Sequence, residues 1–128
     1  MTQPLVHTTQ DRSLLIDCRH GMIGMNGSSL LTDPLNFYRP VYEWVENYIN
    51  SPAEKTTISL KFYYIDSASV QAIFDILKLL KKMPAAEKRI VIKWYFEFDD
   101  PELLEIGEIM ETRLNLKFEF IQITNNQQ

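Results

Sequence analysis

A chain of 128 residues has room for one domain and is too short for two ordinary ones. Hydrophobic residues at 45% and charged residues at 23% sit close to the globular average, which excludes wholesale disorder. The 17 Asp and Glu outnumber the 13 Lys and Arg, so the net charge is -4 and the basic balance expected of a nucleic-acid binder is missing.

Residues Met1 to Arg12 are polar and hold no hydrophobic signal-peptide core, so the cytoplasm is the expected compartment and residues 1–11 read as a loose end. Ser13 to Cys18 and Met22 to Asn26 read as two short strands. Arg19-His20-Gly21 between them suits a hairpin turn, because glycine can take a positive φ. Gly27-Ser28-Ser29 and Thr32-Asp33-Pro34 follow as loop signals. Phe37, Val41, Trp44, Val45 and Tyr48 form one helical stripe, with Asn36 as the expected cap and Pro40 in the first turn. Asn50-Ser51-Pro52 ends that helix.

Thr56 to Ile65 alternates as a half-buried strand, with Ile58, Leu60, Phe62 and Tyr64 on one face and Ser59, Lys61, Tyr63 and Ile65 on the other. A second helix is expected from about Ala68 to Lys82, carried by Val70, Ile73, Phe74, Leu77 and Leu80 and ending in Lys78, Lys81 and Lys82, which suit the helix dipole. Arg89 to Phe98 alternates again, with Ile90, Ile92, Trp94, Phe96 and Phe98 on one face. Asp100-Pro101 is a cap followed by proline at the first helical position. The third helix runs to about Arg113, with Leu103, Leu104, Gly107 and Met110 inward, and Leu116, Phe118 and Phe120 mark a last strand. Thr124 to Gln128 is a polar tail, expected to be loose.

The order β-β-α-β-α-β-α-β implies an α/β domain. Strands separated by helices become parallel neighbours through right-handed crossovers. The polar–apolar alternation implies a mixed sheet of about five strands with three helices mostly on one face, because a sheet covered on both faces would read as continuous Val, Ile and Leu. No apolar run approaches the roughly 20 residues that span a bilayer, so no membrane partner is expected.

Few residues invite chemistry. Asp99, Asp100, Glu102, Glu105 and Glu108 are an acidic cluster of the kind that could hold Mg²⁺ or Ca²⁺, but they suit a helix N-terminus and its solvated face at least as well. His7 and His20 have no cysteine or second histidine at ligand spacing. Cys18 is the only cysteine, which excludes an internal disulfide and a CxxC pair, and it reads as a small buried hydrophobe. Neither GxGxxG nor GxxxxGK(S/T) occurs. The expectation is therefore a protein without catalytic residues, metal or cofactor.

One segment stands apart: Tyr64-Ile65-Asp66-Ser67-Ala68-Ser69-Val70, where a strand hands over to a helix. Asp and Ser are favoured caps, so the simplest role is structural. The same geometry exposes a hydroxyl at the edge of the sheet. Phosphorylation there adds a charge of about −1.5 to −2 beside the free N–H groups and partial positive charge of the helix end.

Strand, Asp-Ser-x-Ser and apolar helix in that order resemble the STAS-type anti-sigma-factor antagonists, and more closely the STAS-like SiaC family of regulatory phosphoproteins. Three stretches carry the resemblance: Gly27 to Tyr48 (GSSLLTDPLNFYRPVYEWVENY), Phe62 to Leu80 (FYYIDSASVQAIFDILKLL) and Ile90 to Tyr95 (IVIKWY). They resemble that family's proline loop with its Trp-bearing helix, its Tyr-x-Asn-Thr-Ser-Ser segment, and the strand that follows. The similarity runs from about residue 13 to 121. The position matching the family's acceptor threonine is Ser67, and the sequence departs from the pattern with Asp66 for Asn, Ser67 for Thr and Ala68 for Ser. Serine keeps an acceptor hydroxyl, and Ser69 is the second candidate.

The resemblance implies a single STAS-like domain over residues 1–128 that is a substrate and an adaptor, not an enzyme. Its implied partners are a kinase with the anti-sigma-factor type of ATPase fold, a PPM-type phosphatase, and a downstream protein that could be a diguanylate cyclase. The expected contact surface is Tyr64, Asp66, Ser67, Ala68 and Ser69; Tyr63, Tyr64 and Tyr95 are candidate aromatic anchors, although core packing or a half-buried sheet position is the favoured role for each. Two other readings remain open: a passive scaffold in which Ser67 only caps a helix, and a small metal-dependent enzyme using the acidic cluster or His20.

Overall fold

The computed structural model describes residues 2–123; the expected loose tail, residues 124–128, lies outside the described residues. Six strands form one sheet in the order β1-β2-β3-β4-β5-β6: β1 (Leu5–Thr8), β2 (Leu14–Arg19), β3 (Met22–Ser29), β4 (Thr56–Ile65), β5 (Ile90–Glu97) and β6 (Phe118–Ile123). The first three are antiparallel neighbours and the last four parallel neighbours, so β3 belongs to both halves. The helices are α1 (Pro34–Tyr48), α2 (Ser67–Leu80), the short α3 (Ala86–Arg89) and α4 (Pro101–Leu114).

The α/β class and the mixed sheet agree with the sequence reading, while six strands and four helices replace the expected five and three. The added strand falls in the polar leader: Leu5–Thr8 pairs antiparallel with Leu15–Cys18, an edge position where backbone pairing matters more than an apolar pattern. His7 on this strand stacks on Phe37 and its Nε2 lies 2.7 Å from the Phe37 carbonyl oxygen, tying the edge to α1.

The hairpin is as expected. Arg19 pairs with Met22, and Gly21 takes φ +88° in the turn. The expected loop at Gly27-Ser28-Ser29 is instead the end of β3. Gly27 takes φ +136° because its backbone passes close to Ser13, and the strand then resumes on a shifted register.

The cap of helix α1 lies three residues before the expected one. Asp33 is the N-cap and accepts from the Asn36 N–H, and Pro34 fills the first turn. Pro40 therefore sits within the helix, where it removes a bond to the carbonyl of exposed Asn36. Burial of Tyr38, Val41, Trp44, Val45 and Tyr48 holds the helix against that loss. Tyr48 is fully buried, and its hydroxyl receives the Gly21 and Ala53 N–H groups and lies 2.7 Å from Thr56 Oγ1.

One sheet face carries the core: Ile16, Ile23, Met25, Ile58, Leu60, Phe62, Ile92, Trp94 and Phe118 alternate with partly or fully exposed positions such as Ser59, Lys61, Lys93 and Glu119. The helices cover that face and leave the other open. On α4 the buried line is Leu103, Gly107, Met110 and Leu114, with Leu104 half-buried rather than inward. Gly107 lets the Trp94 ring approach the helix, and the indole N–H donates to the Leu103 carbonyl. Phe98, expected on the inner face, lies beyond the end of β5 and is exposed. No helix of the described residues is long and apolar enough to cross a membrane.

Candidate functional site

The strand-to-helix corner is built from three segments. Strand β4 ends at Ile65, and Asp66 in extended conformation (φ -86°, ψ 167°) caps α2, which opens at Ser67. One Asp66 carboxylate oxygen accepts the Ser69 N–H at 2.8 Å, the standard N-cap bond. The other accepts the Leu31 N–H at 3.0 Å, across from the loop that joins β3 to α1. The Asp66 N–H donates to the Ser29 carbonyl at 3.0 Å. Burial pushes the Asp66 carboxyl up, but the hydrogen bonds from Ser69 and Leu31 outweigh it and hold the group below its ordinary value.

Beneath the corner lies a dry chain of hydroxyls. Ser69 and Ser29 are fully buried and Tyr38 nearly so. The Ser69 hydroxyl donates to the Ser29 carbonyl at 3.1 Å, and the Ser29 hydroxyl donates to Ser69 Oγ at 2.8 Å. The Ser29 and Tyr38 oxygens are 2.7 Å apart. With the Ser29 proton already committed, Tyr38 is the donor of that pair. Burial pushes the Tyr38 phenol well above its ordinary range, so it keeps its proton. Every polar atom of this chain is satisfied, which lets it be buried cheaply.

The five residues expected to form the contact surface therefore divide. Ser67 and Ala68 are exposed on the first turn of α2, and Tyr64 is 66% exposed. Asp66 is half-buried with its carboxylate engaged on both sides. Ser69, the second candidate acceptor, is sealed beneath the corner and offers its oxygen to no enzyme without local opening.

Tyr64 is exposed because alternation breaks just before it. Gly27 pairs with Phe62 but Ser28 pairs with Tyr64, so a bulge at Tyr63 shifts the phase. Tyr64 leaves the face of Phe62 and Ile65 turns inward beside Ser29, the reverse of the strict alternation read from the sequence. Both Tyr63 and Tyr64 are consequently exposed, whereas Tyr95 is half-buried on the open face. Leu30 and Leu35, at 63% and 68% exposure, flank the corner from the β3–α1 connection and the start of α1.

The other sequence candidates have structural places. Asp100 caps α4, accepting the Leu103 N–H, and Glu111 accepts the Phe118 N–H. Among the described residues no group of three His, Cys, Asp or Glu side chains converges to hold a metal ion. His20 is exposed in the hairpin turn with its ring edge-on to Tyr48. Cys18 is buried, and burial followed by the charge of Asp17 pushes its thiol up to about 12. Sequence reasoning missed Ser29, Leu31 and Tyr38. The one signal available for Tyr38 was its place one position off the apolar stripe of α1, where a buried phenol needs a partner.

Fold and corner together define a class: a small mixed α/β fold that presents an exposed serine at the start of a helix. The chain belongs to the SiaC family of regulatory phosphoproteins, whose profile matches residues 6–123. An uncharacterized protein of Pseudomonas aeruginosa (strain UCBPP-PA14) is 24% identical over 104 residues, which is 81% of each chain. A chain in the crystal structure of the diguanylate cyclase SiaD in complex with its activator SiaC, from the same species, superposes with TM-score 0.81 at 19% identity, covering 93% of this chain and 99% of that one. The structure of SiaC of Pseudomonas aeruginosa superposes at 0.75 with 22% identity, covering 96% and 99%. These structural likenesses cover nearly all of the chain and establish the shared fold.

Proposed function

We propose that this chain is a cytoplasmic signalling adaptor, without catalytic activity of its own, whose phosphorylation at Ser67 controls the binding of a partner protein. The observation that carries the reading is the exposed Ser67 at the start of α2, next to the Asp66 cap and the exposed Tyr64, while the hydroxyl of nearby Ser69 is sealed. A kinase of the anti-sigma-factor type would modify Ser67 and a PPM-type phosphatase would restore it; membership of a phosphoprotein family supports both assignments. The downstream partner is a diguanylate cyclase, a reading supported by the relative that activates one.

The sign follows from the surface. A phosphate adds about −1.5 to −2 charge next to Asp66, which is already ionised and cannot turn away without breaking its two bonds. An apolar contact centred on Tyr64 and Leu35 loses affinity when that charge must be desolvated, so the unmodified form is the binding form. The test is a binding assay between the host's diguanylate cyclase and three forms of this protein: unmodified, Ser67→Ala and Ser67-phosphorylated. Unmodified and Ala forms binding alike, with the phosphorylated form weakened tenfold or more, is the expected result. Equal binding by all three defeats the switch and leaves Ser67 as the first residue of a helix.

A further inference from the structure

We propose that the groove between α1 and α2 docks an acidic amphipathic helix of the partner protein. This deepens the adaptor reading above and rests on it for the identity of the partner, though not for the chemistry of the groove. The groove has a volume of about 500 Å³ and starts at Ala72 on α2, within two turns of Ser67. Its walls are two parallel helical stripes, Leu35, Tyr38 and Tyr42 on α1 and Ala72, Ile76 and Leu79 on α2. Spacings of three and four residues on both walls leave a trough of the kind a third helix fills with its own i, i+3, i+4 and i+7 side chains. Tyr38, Ala72, Ile76 and Leu79 are already buried and form its floor, so the apolar surface still to bury is that of Leu35 and Tyr42 on the rim.

Charge selects the occupant. The rim carries Arg39, Lys78 and Lys82 against one carboxylate, Asp75, which accepts a hydrogen bond from Gln71. This is a positive patch on a chain whose net charge is -4. All three cations are exposed, and among the described residues none forms an ion pair; the one ion pair there joins Arg19 to Asp17. Unpaired cations around an apolar trough are complementary to a helix with leucine-like residues on one face and glutamates at its margins. A second copy of this chain could offer the acidic α4, with Glu105, Glu108 and exposed Ile109. The same cations would meet only two glutamates there, whereas a partner helix can carry glutamates along both margins of the trough, so the partner's helix is the better occupant.

The groove also gives the phosphate a second lever. Five residues separate Ser67 from Ala72, about 7.5 Å along the helix axis at 1.5 Å per residue. That is within the roughly 8 Å screening length at physiological salt, so a phosphate at Ser67 repels an acidic helix seated in the trough.

The experiment uses the full chain and two synthetic 20-residue amphipathic peptides, identical except that the glutamates of one are lysines in the other. Binding is measured by fluorescence anisotropy, and hydrogen exchange maps the protected amides. The acidic peptide is expected to bind at least tenfold more tightly than the basic one and to protect α1 and α2. Arg39→Gln/Lys78→Gln/Lys82→Gln and Leu35→Ser, both at exposed positions, are each expected to weaken it, the triple variant tenfold or more. Phosphorylation at Ser67 weakens it further. Equal binding of both peptides, or acidic-peptide binding untouched by the triple variant, overturns the proposal. So does concentration-dependent self-association in sedimentation that the triple variant abolishes, which assigns the groove to a second copy. Peptide binding that meets these expectations while cyclase binding ignores Ser67 modification leaves the groove standing and removes the switch, so the two failures are distinct.

Discussion

Asp66 is the residue whose removal tests the corner most directly, because its two oxygens do two separable jobs. Toward Ser69 it is an N-cap, and replacing such a residue by alanine costs about 1 kcal/mol. Toward Leu31 it makes a charge-assisted bond to a backbone N–H of another segment, 35 residues away in sequence. Bonds to charged groups are worth about 1.5–3 kcal/mol when buried; half-buried as it is, this one is assigned about 1 kcal/mol. Asp66→Ala should therefore lose about 2 kcal/mol. With about 2.1 cal/mol/K of unfolding entropy per residue, that lowers Tm by roughly 7 °C. Asp66→Asn keeps one amide oxygen for the Ser69 N–H but turns a donor toward the Leu31 N–H, so it should lose about half as much. Thermal unfolding followed by circular dichroism measures both, and amide exchange separates them: alanine speeds exchange at Ser69 and Leu31, asparagine at Leu31 alone. Equal losses for Ala and Asn, or an unchanged Leu31 amide in the alanine variant, would show that the tie between α2 and the β3–α1 loop carries no energy. The pH dependence has a fixed sign. The folded-state carboxyl is depressed, so its stabilisation is full above the ordinary carboxylate value of 3.8 and is lost as pH falls through the lower folded value. The gap between wild type and Asp66→Asn should be constant above about pH 5 and shrink below about pH 4; a gap that widens in acid refutes the assignment.

Three further outcomes follow from the same geometry. Ser69→Ala should leave Ser67 available and modifiable while lowering stability by about 1–3 kcal/mol, because the Ser29 hydroxyl loses its acceptor in a dry site; phosphopeptide mapping that loses its signal in Ser69→Ala but retains it in Ser67→Ala would move the acceptor. Tyr38→Phe removes one end of the hydroxyl chain but leaves Ser29 and Ser69 bonded to each other, so urea unfolding should show a loss of only about 1 kcal/mol. Gly27→Ala should be far worse, above about 3 kcal/mol, because φ is +136° and the added Cβ would fall on the Ser13 carbonyl oxygen; a soluble, cooperatively folded variant with near-native Tm would mean that the β2–β3 pairing relaxes at no cost.

What could be read from the chain and what could not divide along a physical line. Strands β4 and β5, helices α2 and α4 and the β2–β3 hairpin were legible because their signals are local: alternation, a 3.6-residue stripe, Asp100-Pro101, and a glycine in a two-residue turn. Strand β1 was not, because an edge strand draws its stability from pairing with β2 and its side chains, Val6 among them, stay partly in water. The start of α1 was misplaced because Asp33 and Asn36 both suit a cap, and only the observed bond from the Asn36 N–H to Asp33 decides between them.

The corner shows the same division at the scale that matters for function. That Asp66 and Ser67 open a helix could be read from residue types alone, and the helix does begin there. That Ser69 is buried could not, because its burial depends on Ser29, 40 residues earlier, arriving at the same point with both a hydroxyl and a carbonyl free. That Tyr64 faces solvent could not either, since its orientation is set by a register shift against β3 and a bulge leaves no fixed mark in the bulged strand. Each hidden feature depends on β3, the strand shared by the antiparallel and parallel halves of the sheet. Strand β3 delivers Ser29 to seal one serine, turns two tyrosines outward, and leads into the loop that Asp66 holds through Leu31. A charge placed on Ser67 therefore acts on more than its own helix: by repelling Asp66 it loads the bond to Leu31, and with it the connection to α1 and one wall of the basic groove.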